Sequence, residues 1–464
     1  MAVQEKTTAR NKKVKPDISD DIQYNFLEPM SVANYTDTYY KEYSLYVLQQ
    51  RAIPNYIDGF KVVHRKLIRA ALDQALNRKI KVAELGSSLS SYEYLHGEVS
   101  AQDALVGMAA DWKNNVPLFD GHGNFGTRLI QEAAASRYIY VSLSKKFKDV
   151  FSDFDVIDAR PDNPEPINYL PIIPWSLING LSGMAVGFAC NILPRDWKDV
   201  RQSCLEYTQK GKIKTELAVK YPNFKGSIVK VTDNKWTTTG TVEKTKQGRK
   251  EIYLITELPV GYDREKYFNN LLKLKLKNKI SDFEDACDKS GFKFMVVADV
   301  EQMKAIDKDP IAFFGLAKSE TENLTTIDEN GELRVFANTN DLIRDFCEYR
   351  IMKCNQSLAL SIKQAEQKIV ELRAKRDFIE LVVTGKLDLK AMTKKELLTF
   401  VTKQFTIVTE IADKIISIPS YSFTKDNIAE LENQMAKQAK ELVSLQNSNG
   451  RDIFIDKLKK LNLD

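Results

Sequence analysis

D-G-H-G-N-F-G-T-R-L-I-Q-E-A-A-A-S-R-Y, residues 120 to 138, is the stretch around which the rest of the chain is read. Gly121, Gly123 and Gly126 let the backbone turn tightly or approach a ligand, because glycine reaches positive φ without steric cost. Arg128 stands just past that loop. The run Leu129 to Ser136 is rich in helix formers and small residues and predicts a helix ending on Arg137 and Tyr138. A phenol directly after a guanidinium suggests a nucleophile beside an anion clamp. From this window alone the other reading is a surface turn, a helix and a tyrosine whose hydroxyl caps a core.

The chain has 464 residues, too many for one core, which predicts roughly two to four domains. Lys and Arg number 68 against 63 Asp and Glu, a net charge of only +5, so a nucleic-acid surface has to come from local patches. The five cysteines, Cys190, Cys204, Cys287, Cys347 and Cys354, form no C-x-x-C pair. That pattern argues for reduced thiols and against a disulfide framework or a zinc site. No apolar run reaches the ~18 residues of a membrane span and no apolar signal segment follows the start, which predicts a soluble, cytoplasmic protein with no membrane partner. All three histidines, His64, His96 and His122, precede Tyr138.

Residues 1–20 carry Lys6, Arg10, Lys12, Lys13 and Lys15 without apolar periodicity, and predict a flexible basic tail. Leu45, Val47 and Leu48 suggest a helix that Pro54 and the Asp58-Gly59 turn bring to an end. Val63, Leu67, Ala70 and Ala71 then space one buried face of a second helix, leaving His64, Arg65, Lys66 and Arg69 for another. Helix, turn and basic helix suit a reader of a DNA groove, although a solvated basic face would look the same. Residues 86–112 read as a serine-rich loop, His96-Gly97, and a helix packing Ala101, Leu105 and Met108. His96 at that junction can meet an anion or merely cap the helix.

The blocks R-A-I-P-N-Y-I-D-G-F-K-V-V-H-R-K, Y-L-H-G-E, D-G-H-G-N-F-G-T-R and A-A-A-S-R-Y, in this order, resemble the DNA breakage-reunion subunit of type IIA topoisomerases, the family of the DNA gyrase A subunit. The wording N-F-G-T-R and A-S-R-Y-I-Y is most similar to the bacteriophage branch, which would place the protein in host bacterial cytoplasm. Leu170 to Pro194 resembles the family's N-G-x-S-G-x-A-V-G loop, and I-T-E-L-P, Ile255 to Pro259, its tower segment. The resemblance implies an α+β multidomain fold: a winged-helix (helix-turn-helix) DNA-binding domain over 21–150, a mixed α/β tower domain over 151–340, and over 341–464 a long antiparallel coiled coil with a small α-helical dimerisation knob.

Carried over by position, the resemblance makes Tyr138 the nucleophile that forms a 5′-phosphotyrosyl link to DNA. It gives Arg137, Arg51 and His96 catalytic places at the scissile phosphate, and makes His64, Arg65, Lys66 and Arg128 DNA-binding residues. Met184 aligns with an apolar wedge that bends the cleaved duplex, a methionine packed in a glycine-rich loop being the other reading. Leu95 stands where the family carries a second histidine. His122, where related sequences have glutamine, is expected to contact a neighbouring chain or nothing.

Independently of the resemblance, Ile362, Ala365, Ile369 and Leu372, and again Ile428, Leu431, Met435, Leu442 and Leu445, follow the 3-4 spacing of two helices that can pair antiparallel. The 150–340 region holds β-type segments such as G-S-I-V-K-V and E-I-Y-L-I-T-E-L, and a lysine-rich helix near Leu271 to Lys279. The sequence holds no G-x-x-x-x-G-K-[ST] phosphate loop and no obvious acidic cluster for magnesium, so Mg2+ and ATP are expected on an ATPase and metal-binding partner subunit, with no metal on this chain. The expected partners are thus double-stranded DNA, that ATPase chain, and a second copy of this chain through the C-terminal gate. No room follows the last helix for a DNA-wrapping domain, which favours relaxation. The competing function is a non-catalytic, dimeric, DNA-binding architectural protein. Arg137-Tyr138 separates the two, because architecture has no need of a phenol beside a phosphate clamp.

Overall fold

The computed structural model describes residues 30–74, 78–160, 163–247, 250–389 and 392–464; the expected basic tail lies outside them. The fold is α+β. It opens on α1 (Val32–Tyr35) and α2 (Lys41–Val47), joined by a π turn, Thr36–Tyr40, and followed by another, Leu48–Ala52. This segment leaves Tyr35, Tyr39, Tyr40 and Tyr43 exposed and enters the core only at Leu48 and Ala52. Ile53 is extended, as a residue before proline must be, and the helix stops there.

The turn at Asp58 and Gly59 leads into α3 (Val62–Asp73). Gly59 has φ +68°, and a Cβ there would press on the Ser176 backbone, so glycine is required on both counts. Leu67, Ala70 and Ala71 of α3 are buried as their spacing predicts. Next come β1 (Ile80–Lys81), α4 (Val82–Ser87) and a 3-10 turn over Ser88–Tyr92. The expected serine-rich loop is therefore helical: Ser88 and Ser90 donate their hydroxyls to the Leu85 and Ser87 carbonyls, and Leu89 is buried. α5 (Glu98–Ala109) follows, burying Ala101 and Leu105. β2 (Phe119–His122) and β3 (Tyr140–Leu143) pair antiparallel and complete a sheet in the order β1-β3-β2.

The expected helix over Leu129 to Ser136 does not form; the span from Gly123 to Ile139 is an irregular loop bridging β2 and β3. Its backbone groups are engaged elsewhere. Ala134 N–H donates to Asn124 O, Thr127 N–H donates to Ile130 O, and Leu129 O accepts from Arg264. Tertiary hydrogen bonds outweigh the modest helix preference of alanine and glutamate.

α6 (Lys145–Val150), α7 (Ser176–Asn179), the hairpin β4 (Leu181–Met184) and β5 (Ala189–Ile192), and α8 (Trp197–Lys210) join the same core. The expected boundary at residue 150 falls inside that core, since Phe151, Tyr169, Ile173, Trp175 and Val200 pack with Ile57, Leu67 and Phe147.

β6 (Ser227–Thr232) and β7 (Lys235–Thr239) follow, with Trp236 packed against Leu193 and Val219 in a small core. A second large core is built on β8 (Thr241–Gln247), β9 (Lys250–Glu257), α9 (Arg264–Leu276), β10 (Asp282–Asp285), β11 (Phe294–Val297), α10 (Val300–Ile306) and α11 (Pro310–Phe314), and β12 (Ala317–Thr321) comes after it. One sheet runs β10-β11-β9-β8 and another β12-β7-β6. The lysine-rich helix begins earlier than its sequence predicts, at an Asp263 side chain that accepts from Lys266 N–H, and it closes at Leu276. Tyr253, Ile255, Tyr267, Leu271 and Phe294 pack between the longer sheet and α9. β13 (Leu324–Ile327) and β14 (Leu333–Phe336) return the chain to the first core, so the expected boundary at 340 also lies within it.

α12 (Thr339–Val383) runs for 45 residues, roughly 68 Å at helical rise. Its base, Leu342 to Cys354, is part of the first core. At its far end Phe378 packs with α13 (Lys394–Phe405) and α14 (Thr409–Ile416) in a small separate core. α15 (Lys425–Gln446) comes back along it and α16 (Gly450–Lys460) packs at the base. Arg376 meets Glu432 while Asn355 meets Gly450, so α12 and α15 run antiparallel. Leu372 and Leu431 are buried in their seam, with Ile428 and Met435 against them.

One buried ion pair ties α3 to this frame. Lys66 Nζ lies 2.9 Å from Glu165 Oε2, and both side chains are buried. Glu165→Ala strands a buried ammonium and is expected to cost about 3–5 kcal/mol of unfolding free energy, read by urea denaturation; a loss below about 1 kcal/mol would show that the charge finds water.

Candidate active site and nucleic-acid interface

Tyr138 projects from the turn that closes the loop between β2 and β3. It is 67% exposed, so its hydroxyl caps no core. The Arg137 guanidinium carbon lies 4.8 Å from the centre of its ring, a cation-π distance. Tyr138 N–H donates to Ala135 O, Ser136 O accepts from Ala83 N–H, and Ser136 Oγ donates to Gln102 at 2.6 Å. Val82 N–H donates to Ile139 O. The turn is thereby strapped to α4 and α5 on both sides of the phenol.

A second cluster gathers Arg51, Tyr46 and His96. Tyr46 Oη is 3.3 Å from His96 Nε2, and the Tyr94 ring meets the imidazole edge-on at 5.2 Å. Burial and then the Arg51 charge hold His96 below its usual pKa; burial raises the Tyr46 phenol, with Arg51 opposing. Arg51 and Arg137 are exposed, and among the described residues neither forms an ion pair. No hydrogen bond, ion pair or ring contact among the described residues links the Tyr138 turn to the His96 cluster.

The other cations that the sequence assigns to DNA are turned inward. Arg65 and Lys66 are buried, not part of an open helix face. Arg65 donates to both Asp58 carboxylate oxygens and to Phe60 O. Lys66 donates to Glu165 and to Tyr92 O. Arg128 is also engaged: it pairs with Glu257 at 2.9 Å, donates to Leu258 O, and lies over the Phe224 and Phe292 rings. Its role in the fold is to hold the loop after Gly126 against the second core. His122 is engaged within its own chain, where its Nε2 is 3.0 Å from Ser142 Oγ on the adjacent strand.

His64 is half-buried on α3 and accepts from Lys61 N–H through Nδ1 at 3.4 Å. Burial first, then Lys61, Arg65 and Lys113, push its pKa down to about 3. The ring is neutral and its proton sits on Nε2. Lys61, His64, Lys113, Arg128, Tyr221 and Tyr262 line a cleft of about 770 Å³ between the two cores. Lys61 Nζ donates to Ser182 O at 2.9 Å and so fixes the β4–β5 hairpin. A Cβ at Gly183 would collide with the Ala52 carbonyl oxygen, which presses the hairpin onto the chain before α3. At its tip Met184 is 87% exposed, beside Val186 and Phe188, and not packed into its loop. Leu95 is 85% exposed next to His96.

Tyr46, Lys61 and Glu257 are absent from the residues that motif reading singles out. Glu257 lies inside I-T-E-L-P, where a lone acid between apolar residues marked a buried partner.

The family of the DNA gyrase/topoisomerase IV A subunits matches residues 51–461, and the chain belongs to it. It is 38% identical over 414 residues to the DNA topoisomerase medium subunit of Enterobacteria phage T4, covering 86% of this chain and 91% of that one. It is 28% identical over 436 residues to DNA topoisomerase 2, mitochondrial, of Dictyostelium discoideum, covering 89% of this chain and 33% of that longer protein. The fold matches a Plasmodium falciparum topoisomerase II DNA-binding, cleavage and re-ligation domain with a TM-score of 0.80 at 24% identity, over 91% of this chain and 62% of that one. Among the described residues no helix is long and apolar enough to cross a membrane.

The neutral His64 generates a pH dependence. Its folded pKa lies below that of the unfolded chain, so the unfolded state binds more protons between about pH 6.5 and 3. Stability is full above that window and falls as pH drops through it, by up to about 1.4 kcal/mol per unit. Urea denaturation at pH 7 and pH 5 should show this slope in the native chain and a smaller one in His64→Gln; equal slopes would remove His64 as its source.

Proposed function

We propose that this cleavage and religation subunit of a type II DNA topoisomerase breaks its DNA through Tyr138. The phenolic oxygen attacks a backbone phosphorus, the phenol gives up its proton, and the bond from phosphorus to the 3′ oxygen breaks. The 3′ oxygen leaves as a hydroxyl and the 5′ phosphate stays on Tyr138. One phosphoester replaces another, so the reverse step reseals the strand without added energy. A phenol of pKa ~10 is a weak nucleophile at neutral pH unless cations favour the phenolate and the charge that develops on the phosphorane. The observation that carries this reading is the open Tyr138 side chain with the Arg137 guanidinium against its ring. Arg51 and His96 complete the set at the phosphate. The architectural alternative has no use for that pairing.

The exposed hairpin tip supports Met184 as the wedge that opens a base step and bends the duplex. We read the first core as the winged-helix unit, the second as the tower, and α12 with α15 as the coiled coil, whose far core, α13 and α14, joins two copies. A two-fold dimer sets one Tyr138 on each strand. Arg65, Lys66 and Arg128 act by placing α3 and the loop, His64 by donating from Nε2. Mg2+ and ATP are assigned to the partner subunit.

With a competent partner and magnesium, Tyr138→Phe should bind duplex normally and give no covalent adduct when the reaction is stopped with denaturant; an adduct formed by that variant rejects the assignment. Met184→Ala should fold as the native chain does, since its side chain is exposed, while cleavage falls about tenfold because part of the few kcal/mol of unstacking is no longer offset. Bending of a labelled duplex, followed by energy transfer, reads the same loss. Undiminished bending would return Met184 to a surface role.

A further inference from the structure

His96 has one protein hydrogen bond among the described residues, and it comes from a different element. Tyr46 Oη and His96 Nε2 are 3.3 Å apart, with the rings 6.2 Å apart and tilted by 55°. Tyr46 lies on α2, the helical run that leads to Arg51, whereas His96 directly precedes Gly97, the cap of α5. The Tyr43 ring stacks on Tyr46 at 6.4 Å and Tyr94 holds the other side of the imidazole. Among the described residues the groups facing His96 are thus Tyr46, Tyr94 and the Arg51 cation. A neutral imidazole has one donor and one acceptor nitrogen, and the partner of one nitrogen decides the role of the other.

We propose that Tyr46 is a positioning residue for strand cleavage: its hydroxyl donates to Nε2 of His96, which locks the imidazole in the tautomer that carries its proton on Nδ1 and aims that N–H as a donor for DNA phosphate. The assignment rests on the reading of Tyr138 and His96 given above. The chemistry supports the direction of the bond. A phenol raised by burial keeps its proton and donates, and an imidazole kept neutral beside Arg51 accepts. A donor that is fixed before DNA arrives need not be ordered during the reaction, which is how preorganised groups lower a barrier. Tyr46 also links two functions of one segment, because the helix that ends on Arg51 thereby carries both the cation and the group that orients the histidine.

The test is Tyr46→Phe, which keeps the ring and its packing and removes one hydroxyl. The chain has only three histidines, so 15N labelling of histidine resolves each imidazole. In the native chain His96 should show a protonated Nδ1 and an unprotonated Nε2, and Tyr46→Phe should move it toward the opposite tautomer, leaving His64 unchanged. With the partner and magnesium present, the variant should cleave duplex on the order of 10-fold more slowly, part of the 10²–10⁴ that a positioned acid or base supplies, with DNA affinity unaltered. His96→Gln should be at least as slow, and the double variant no slower than His96→Gln alone, since the two act as a unit. An unchanged tautomer, an unchanged rate, or additive losses each overturn the assignment. Adduct formation by Tyr138→Phe overturns the reading beneath it and leaves the tautomer result standing.

Discussion

Asp58 has no exposed surface, and donors converge on it from three parts of the chain. Arg65 reaches it from α3, Phe60 N–H from the turn itself, and Tyr169 N–H from a segment more than a hundred residues further on. Burial pushes the carboxyl up, and Arg65 with the two N–H groups opposes that rise. A buried carboxylate lacking those donors would cost several kcal/mol, so the turn, the first turn of α3 and the Tyr169 segment are held to one arrangement. That arrangement decides where Lys61 and His64 stand. Lys61 in turn fixes the hairpin that carries Met184, and Gly59 lets the turn lie directly on the backbone of Ser176.

Ion pairs of this kind recur through the chain. Arg65, Lys66, Arg128, Arg195 and Arg350 all end on carboxylates: Asp58, Glu165, Glu257, Glu322 and Asp153. Such pairs add little net stability, because desolvation offsets most of the attraction, but removing one partner is severe. They act as fixed joints. Arg128 with Glu257 joins the loop between β2 and β3 to the second core, Arg195 with Glu322 joins α8's approach to the strand return, and Arg350 with Asp153 and Lys457 joins α12 to the first core and α16. Arg51 and Arg137, by contrast, remain outward.

Helical spacing made α3, α5, α12 and α15 legible in the sequence, because an apolar stripe reports which face a helix buries whatever it packs on. Glycine and proline marked the turn before α3, and the motif blocks marked Tyr138, Arg137 and Met184, all of which stand exposed. The burial of Arg65 and Lys66 was not legible. Their partners stand seven and 99 residues away, and a basic residue one position off an apolar stripe looks the same whether it meets water or a buried acid. The stretch from Leu129 to Ser136 was misread as a helix for a related reason. Propensity counts only local terms, whereas its backbone is bonded to Asn124 and to Arg264 in the second core. The expected limits at 150 and 340 fall inside the first core, which is assembled from three separated stretches of chain that no composition shift marks.

The absence of a helix before Tyr138 has a functional consequence. A tyrosine on a packed helix end shares that helix's motions and shows one edge to solvent, whereas one on a strapped turn can stand out from the surface without being loose. The loop's Ala133 and Ala134 and the hairpin's Ala185 pack onto the same core, so the segments that carry Tyr138 and Met184 are both anchored to it. The core at the far end of α12 shares no buried residue with that unit. On the proposed reading, two cutting units can therefore draw apart with DNA ends bonded to them while the far cores stay joined, and neither hydrophobic core has to open. Strand passage then strains a long helix pair, which bends at small cost, and spares the ion pairs and packing that aim the phenol.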